Sequence, residues 1–290
     1  MTAHVLQWVL SELASQRRVV MATVLNTSGS VPGKTGARLA MSSHEHTWVG
    51  TVGGAGLEHR VLQRCRELLG EALQPFAEVL TYGLNKGAKG YEVTPLDSLC
   101  GGRVSIAVEV MIPMPHVHIM GGGHCGEALA TTLHGLGWDY SVHDTREAYI
   151  SEDKFPHAVE VSSASVAGVL EGETPVTLGR FSDILLLGHD WAEDQERLLG
   201  LLQLLNQPGV VLDGKQHPRI GVIGSRSKWQ AFEEAAREQG VPQPLLDQVI
   251  CPIGLNIGAQ SPEEIAVAVA AQIMSLHKAV DPASATWRQA

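Results

Sequence analysis

The 290-residue chain is poor in cysteine, in aromatic residues and in positive charge. Its four cysteines (Cys65, Cys100, Cys125 and Cys251) stand far apart and form no CxxC pair. That spacing argues against a disulfide framework or a structural zinc site, and it fits a reducing cytoplasm. Thirteen histidines are present, but none falls in an HExxH pattern. Lysine and arginine total 21 against 31 acidic residues, a net charge of −10, which argues against nucleic acid or an anionic membrane as the main partner. No apolar run approaches the roughly 18 residues that span a bilayer. The N-terminus lacks the layout of a signal peptide and reads as an amphipathic helix, with Val5, Trp8, Val9 and Leu13 on one face.

What is present is glycine, 31 residues of it, gathered in turns. Two prolines in Met111-Ile112-Pro113-Met114-Pro115 interrupt two strand-like runs and divide the chain into expected domains at 1–112 and 116–290. The first reads as α+β: helices over 4–16 and 56–70, with strands near 18–26, 37–41, 47–52, 76–81 and 103–110. The second alternates. Strands are expected near 117–120, 139–143, 158–161, 183–187 and 219–223, and helices over 124–136, 192–206, 227–239 and 262–278. Such alternation predicts a Rossmann-like, doubly wound parallel sheet, so the fold class is α/β with an N-terminal α+β domain.

The second domain opens on Gly121-Gly122-Gly123-His124-Cys125-Gly126, in which Gly121, Gly123 and Gly126 fit G-x-G-x-x-G between a strand and a helix. There the glycines permit a tight turn, close approach of a pyrophosphate and close helix–strand packing. The next strand ends in Asp144, the position whose acid takes ribose hydroxyls, with Arg146 two residues on. NAD, NADP and other phosphate ligands therefore stay open, as does a purely structural turn. His189 and Asp190 follow the fourth strand, and Ser225 and Arg226 follow the fifth, at the edge where open α/β sheets bind ligands. His189 suits acid–base work as well as it suits a plain loop. Ser261-Pro262-Glu263-Glu264 is a capping box that starts the last helix.

In the first domain three glycine turns stand out: 27–34, 50–56 and 99–103. Gly53, Gly54 and Gly56 precede or open a helix, where backbone N–H groups attract an anion. Lys34, Arg38 and Arg103 are the nearby candidates for countercharge. Cys100 is set beside Gly101 and Gly102; a thiolate there is a soft ligand for a transition metal, and an inert buried thiol is the plainer alternative.

In order along the chain, Gly29-Ser30-Val31-Pro32, Gly50 to Glu58, Cys100-Gly101-Gly102, the turn at 121–126, Ile220 to Arg226 and Pro252 to Ala259 resemble the XdhC/CoxI family over nearly its whole length. The resemblance implies an accessory protein that binds the molybdenum cofactor (molybdopterin), protects it and delivers it to a molybdenum hydroxylase such as xanthine dehydrogenase. Cys100 is compatible with an approach to the metal or its sulfur, a cysteine desulfurase is a further candidate partner, and a homodimer burying apolar surface around the seam is expected. Gly33 and Asn256 depart from the family pattern, where arginine and aspartate are usual. The residue-level alternative is an NAD(P)-dependent oxidoreductase that uses His189.

Overall fold

The computed structural model describes residues 2–72, 74–84, 93–96, 101–207 and 217–284. The chain forms two compact units, Met1–Pro113 and Met114–Ala290.

The first unit contains α1 (Thr2–Ala14), β1 (Val19–Ser28), β2 (Arg38–Ser42), β3 (Trp48–Gly50), α2 (Ala55–Glu71), β4 (Phe76–Gly83), β5 (Val93–Pro95) and β6 (Arg103–Met111). Its sheet runs β3-β2-β1-β6-β4-β5, antiparallel except for the parallel pair β4–β5. The period-two pattern of β1 explains the layering. Val20, Ala22 and Val24 face Leu57, Val61, Cys65 and Leu68 of α2. Val19 and Met21 face Val5 and Val9 of α1. Helix α1 stops at Ala14, earlier than its apolar pattern suggests, because Gln16 takes a positive φ of 57°. Strand β5 has no counterpart among the expected strands; three residues ending in proline carry too little pattern to be seen in sequence.

The second unit contains β7 (His116–Met120), α3 (His124–Gly135), β8 (Asp139–His143), β9 (Val161–Ser162), α4 (Val166–Glu171), α5 (Pro175–Leu178), β10 (Asp183–Leu186), α6 (Trp191–Leu205), β11 (Arg219–Val222), α7 (Arg226–Glu238), α8 (Gln243–Leu246) and α9 (Pro262–His277). The sheet is parallel throughout, in the order β11-β10-β7-β8-β9. Chain order therefore reverses between β7 and β10, the switch point where ligands enter such sheets. Val117, Ile119, Tyr140 and Val142 pack under α3 and α9. Met120, Ile184, Leu186, Ile220 and Val222 pack under α6 and α7.

The strand expected at 158–161 is reduced to β9. Val159 and Glu160 still bond β8 (Val159 N to Tyr140 O, 2.8 Å; Val142 N to Glu160 O, 2.9 Å), but the regular ladder is confined to Val161–Ser162. The short helices α4, α5 and α8 fall in stretches expected only as connections, being below the length at which a 3.6-residue period shows. Ser261 and Glu264 form the capping box of α9 as expected.

Candidate functional site

In the first unit, three turns from separate parts of the sequence meet at one end of the sheet. A Cβ on Gly102 would lie 2.5 Å from Ser28 O and 2.8 Å from Ser30 O. A Cβ on Gly29 would lie 3.0 Å from Gly102 Cα. Gly53, at φ +112°, packs so tightly on Gly33 that a Cβ would overlap that residue's backbone and sit 2.8 Å from Pro32 C. Helix α2 begins at this junction on Gly54, which supplies no side-chain cap. Glu58, in the first turn, reaches back to Thr51 Oγ1 and to Val52 N, and so closes the preceding turn. Of the residues expected here, Gly53, Gly54, Gly101 and Gly102 fall in or beside this junction. Gly56 lies within α2 with open space where its Cβ would be. Cys100 lies outside the described residues.

In the second unit, β7 runs into the glycine turn. Gly121 has φ +134°, and a Cβ there would come 2.5 Å from Leu187 C and O, so the turn lies directly against the end of β10. A Cβ on Gly126 would overlap Gly121 O, which is how α3 comes close to its strand. Gly123 is the N-cap of α3 and again offers no side-chain cap. Asp144 at the end of β8 is buried. It accepts from Gly122 N at 2.9 Å, Arg146 N at 3.0 Å, Arg146 Nε at 2.9 Å and Arg146 Nη2 at 2.7 Å. Burial opposes ionisation of this carboxyl, but the Arg146 guanidinium and the two backbone N–H groups override it and hold the pKa at about 2.

The remaining expected residues are placed differently from one another. Asp190 caps α6, accepting from Ala192 N (2.7 Å) and Glu193 N (3.1 Å), and those N–H groups lower its pKa. His189 beside it is exposed and has no hydrogen bond among the described residues. Ser225 caps α7 through Lys228 N at 3.3 Å, and Arg226 is exposed at the first turn of that helix.

Sequence reasoning missed a buried charge network under the same edge. Asp194 accepts from Arg197 Nη1 (3.1 Å) and from Lys228 Nζ (2.9 Å), and Lys228 also reaches Ile223 O (3.1 Å). Glu193 joins Arg197 Nη2 (3.0 Å) to Thr145 Oγ1 (2.8 Å). A Cβ on Gly188 would lie 2.7 Å from Arg197 Nη1. The available signal is Arg197 standing four residues after Glu193 and three after Asp194, a spacing that usually marks a solvated helix face.

Burial raises the thiol pKa of each described cysteine, to about 12 for Cys65, so none is an activated thiolate. Among the described residues no group of three or more His, Cys, Asp or Glu is arranged to hold a metal ion. No described helix is long and apolar enough to cross a membrane.

Set against known proteins, residues 117–273 match the XdhC Rossmann domain, and residues 12–83 match the XdhC and CoxI family. The chain is similar to the uncharacterized protein YqeB of Escherichia coli K12, with 28% identity over 256 residues, 88% of this chain and 43% of the relative. It is also similar to a probable xanthine dehydrogenase subunit of Bacillus subtilis 168, with 26% identity over 168 residues, 58% of this chain and 44% of the relative. Each alignment thus covers less than half of the curated relative. Among solved structures, a xanthine dehydrogenase from Bacillus halodurans is 21% identical and covers 97% of this chain and 98% of its own, with a TM-score of 0.48. The NAD(P)-binding domain of an exopolyphosphatase-related protein from Archaeoglobus fulgidus is 18% identical and covers 46% of this chain and 95% of its own, with a TM-score of 0.32.

Proposed function

The chain belongs to the XdhC and CoxI family, and from that premise we propose that it is an accessory protein of xanthine dehydrogenase maturation that binds the molybdenum cofactor and hands it on. The observation that carries this reading is the packing of the turn Gly29–Gly33 against both Gly101–Gly102 and Val52–Gly54, the latter leading into the uncapped start of α2. A 17-residue helix whose first N–H groups have no side-chain cap offers aligned donors and a partial positive charge to an anion. The phosphate of a pterin suits that end of the cradle. Cys100 directly precedes Gly101 in sequence and is the residue proposed to approach the metal or its sulfur. The bound cofactor supplies hydroxylase chemistry to the recipient; this chain's residues hold it, orient it and shield it.

In this reading the partners are a molybdenum hydroxylase of the xanthine dehydrogenase kind and a cysteine desulfurase, and the protein works in the cytoplasm as a homodimer. The NAD(P)-dependent oxidoreductase reading has less support. It relies on His189 as an acid–base group, but no described residue orients that imidazole, and Asp190 is engaged as a helix cap.

The test is retention of molybdenum cofactor by the purified chain, followed by activation of an apo-xanthine dehydrogenase on mixing. Binding and activation are expected, and Cys100→Ser lowers retention. Failure of both with a competent recipient overturns the proposal, and unchanged retention in Cys100→Ser removes that residue from it.

A further inference from the structure

We infer that the Rossmann unit selects a nucleotide carrying a phosphate on its adenosine ribose over one with a free ribose diol, and that Arg146 makes the selection. This does not depend on where the molybdenum cofactor is held.

The acid that ends the second strand of a dinucleotide-binding sheet ordinarily accepts the two ribose hydroxyls. Here that acid, Asp144, has no acceptor capacity left for them. A carboxylate offers about four lone-pair sites, and four donors already use them: two backbone N–H groups and two guanidinium N–H groups. A diol entering this position must displace Arg146 and exchange a bidentate, charge-assisted pair for neutral hydroxyl bonds. Charge-assisted bonds are roughly twice as strong as neutral ones, so the exchange is unfavourable. Asp144 has thus become a positioning residue for the arginine.

Arg146 is set up to meet an anion. It spends Nε and Nη2 on Asp144, while Nη1 has no hydrogen-bond acceptor among the described residues. Its guanidinium carbon lies 3.7 Å from the centroid of the Tyr149 ring, and the packing fixes the side chain. Nη2 stands 4.0 Å from where a Cβ on Gly123 would be, beside the first turn of α3. Lys154 Nζ lies 5.2 Å from the same Tyr149 ring and adds a second cation, partly offset by Glu127 at 3.6 Å.

The start of α3 also differs from its neighbours. Asp190, Ser225 and Ser261 cap α6, α7 and α9, whereas α3 begins on Gly123 with no side-chain cap. The turn therefore joins uncapped helix N–H donors, suited to a pyrophosphate, to a guanidinium beside the acid that ordinarily takes the ribose hydroxyls. An arginine near this position is what accommodates that phosphate in NADP-type sites.

The experiment is calorimetric titration of the full chain with NADP and NAD, and with 2′,5′-ADP and 5′-ADP to isolate the added phosphate. We expect the 2′-phosphorylated member of each pair to bind about ten-fold tighter or more, equivalent to about 1.4 kcal/mol. Arg146→Gln abolishes that preference, weakening NADP and 2′,5′-ADP and, because it frees acceptor sites on Asp144 for the ribose diol, tightening NAD and 5′-ADP; Arg146→Lys keeps part of the preference. Equal binding within each pair, an unchanged ratio in Arg146→Gln, or no binding of any of the four overturns the inference. Should Arg146→Gln fail to fold, the wild-type ratios and the Arg146→Lys variant still decide it. Molybdenum-cofactor retention, measured on the same proteins, is expected not to respond to Arg146, so failure of the carrier proposal is read separately.

Discussion

Lys228 on α7 reaches the fully buried carboxylate of Asp194 on α6, with Nζ 2.9 Å from Oδ2, while Arg197 holds the other oxygen at 3.1 Å. With Glu193, which holds Arg197 Nη2 at 3.0 Å, two carboxylates balance two cations under the carboxyl edge of the Rossmann sheet, and Asp194 is the one shared by both cations. Removing one partner of a buried pair strands the others, at a cost of about 3–5 kcal/mol. Asp194→Ala is therefore expected to lose stability of that order in urea denaturation. Lys228→Met is expected to lose less, because Arg197 still pairs with Asp194. Equal losses would show that the two cations do not share the carboxylate as described.

The glycine junction in the first unit yields a paired prediction. Gly53→Ala forces a side chain into φ +112° and into the backbone of Gly33, and should cost more than about 1 kcal/mol. It should also lower cofactor retention. Gly56→Ala places a methyl group in open space in the first turn of α2 and should stabilise by a few tenths of a kcal/mol, up to about 1 kcal/mol, the full helix-interior difference. Urea midpoints of the two variants are expected to move in opposite directions; a shift of the same sign in both would refute the placement.

Acid should destabilise the second unit through its buried histidines. His116 and His118 pack on Phe181, at ring-centroid distances of 4.9 and 4.6 Å, and His143 lies on the neighbouring strand β8. Burial lowers the pKa of all three, to about 3 for His118, where His143 and Arg180 add to the effect. Asp139 and Glu160 oppose it at His116, and the hydrogen bond to Ala164 O (2.8 Å), then Asp144 and Glu193, oppose it at His143. The unfolded chain takes up protons near pH 6.5 while the folded chain resists them. Stability is therefore complete above that pH and falls as pH drops below it, for His118 down to about pH 3. The slope approaches about 1.4 kcal/mol per pH unit for His118, and His116 and His143 add to it in the same direction. His118→Gln should flatten the fall in urea midpoint between about pH 6.5 and 4.5; an unchanged slope would acquit His118.

Asp190 is expected to behave as a helix cap. Asp190→Ser keeps an acceptor for the first N–H groups of α6, and Asp190→Ala does not. Thermal unfolding should place the serine variant near wild type and the alanine variant below it. Identical midpoints would show that the cap carries no stability.

Much of the fold is legible in local pattern. The alternation along β1 and β6, the strand–glycine–helix passage at 116–135 and the capping box at Ser261 each depend on neighbours within a few residues. The candidate sites are legible only as residue types. Glycines at 29–33, 53–54 and 101–102 stand out one by one, but the packing of Gly29 on Gly102 depends on strand pairing between β1 and β6 that no local window contains. Asp190 and Ser225 stand at the expected sheet edge, and the folded backbone uses them as caps.

By itself the sequence determined the class of the protein: a parallel α/β unit entered through Gly121–Gly126 behind an α+β unit, because hydrophobic period and turn chemistry are local properties. Tertiary structure alone decided what the polar residues do. Whether Asp144 is open to a ribose or closed by Arg146 turns on a bidentate contact two residues away, and on a guanidinium that keeps the buried carboxylate ionised. Composition and spacing hold no record of either, because hydrogen-bond occupancy is set by the packed surroundings and not by residue type.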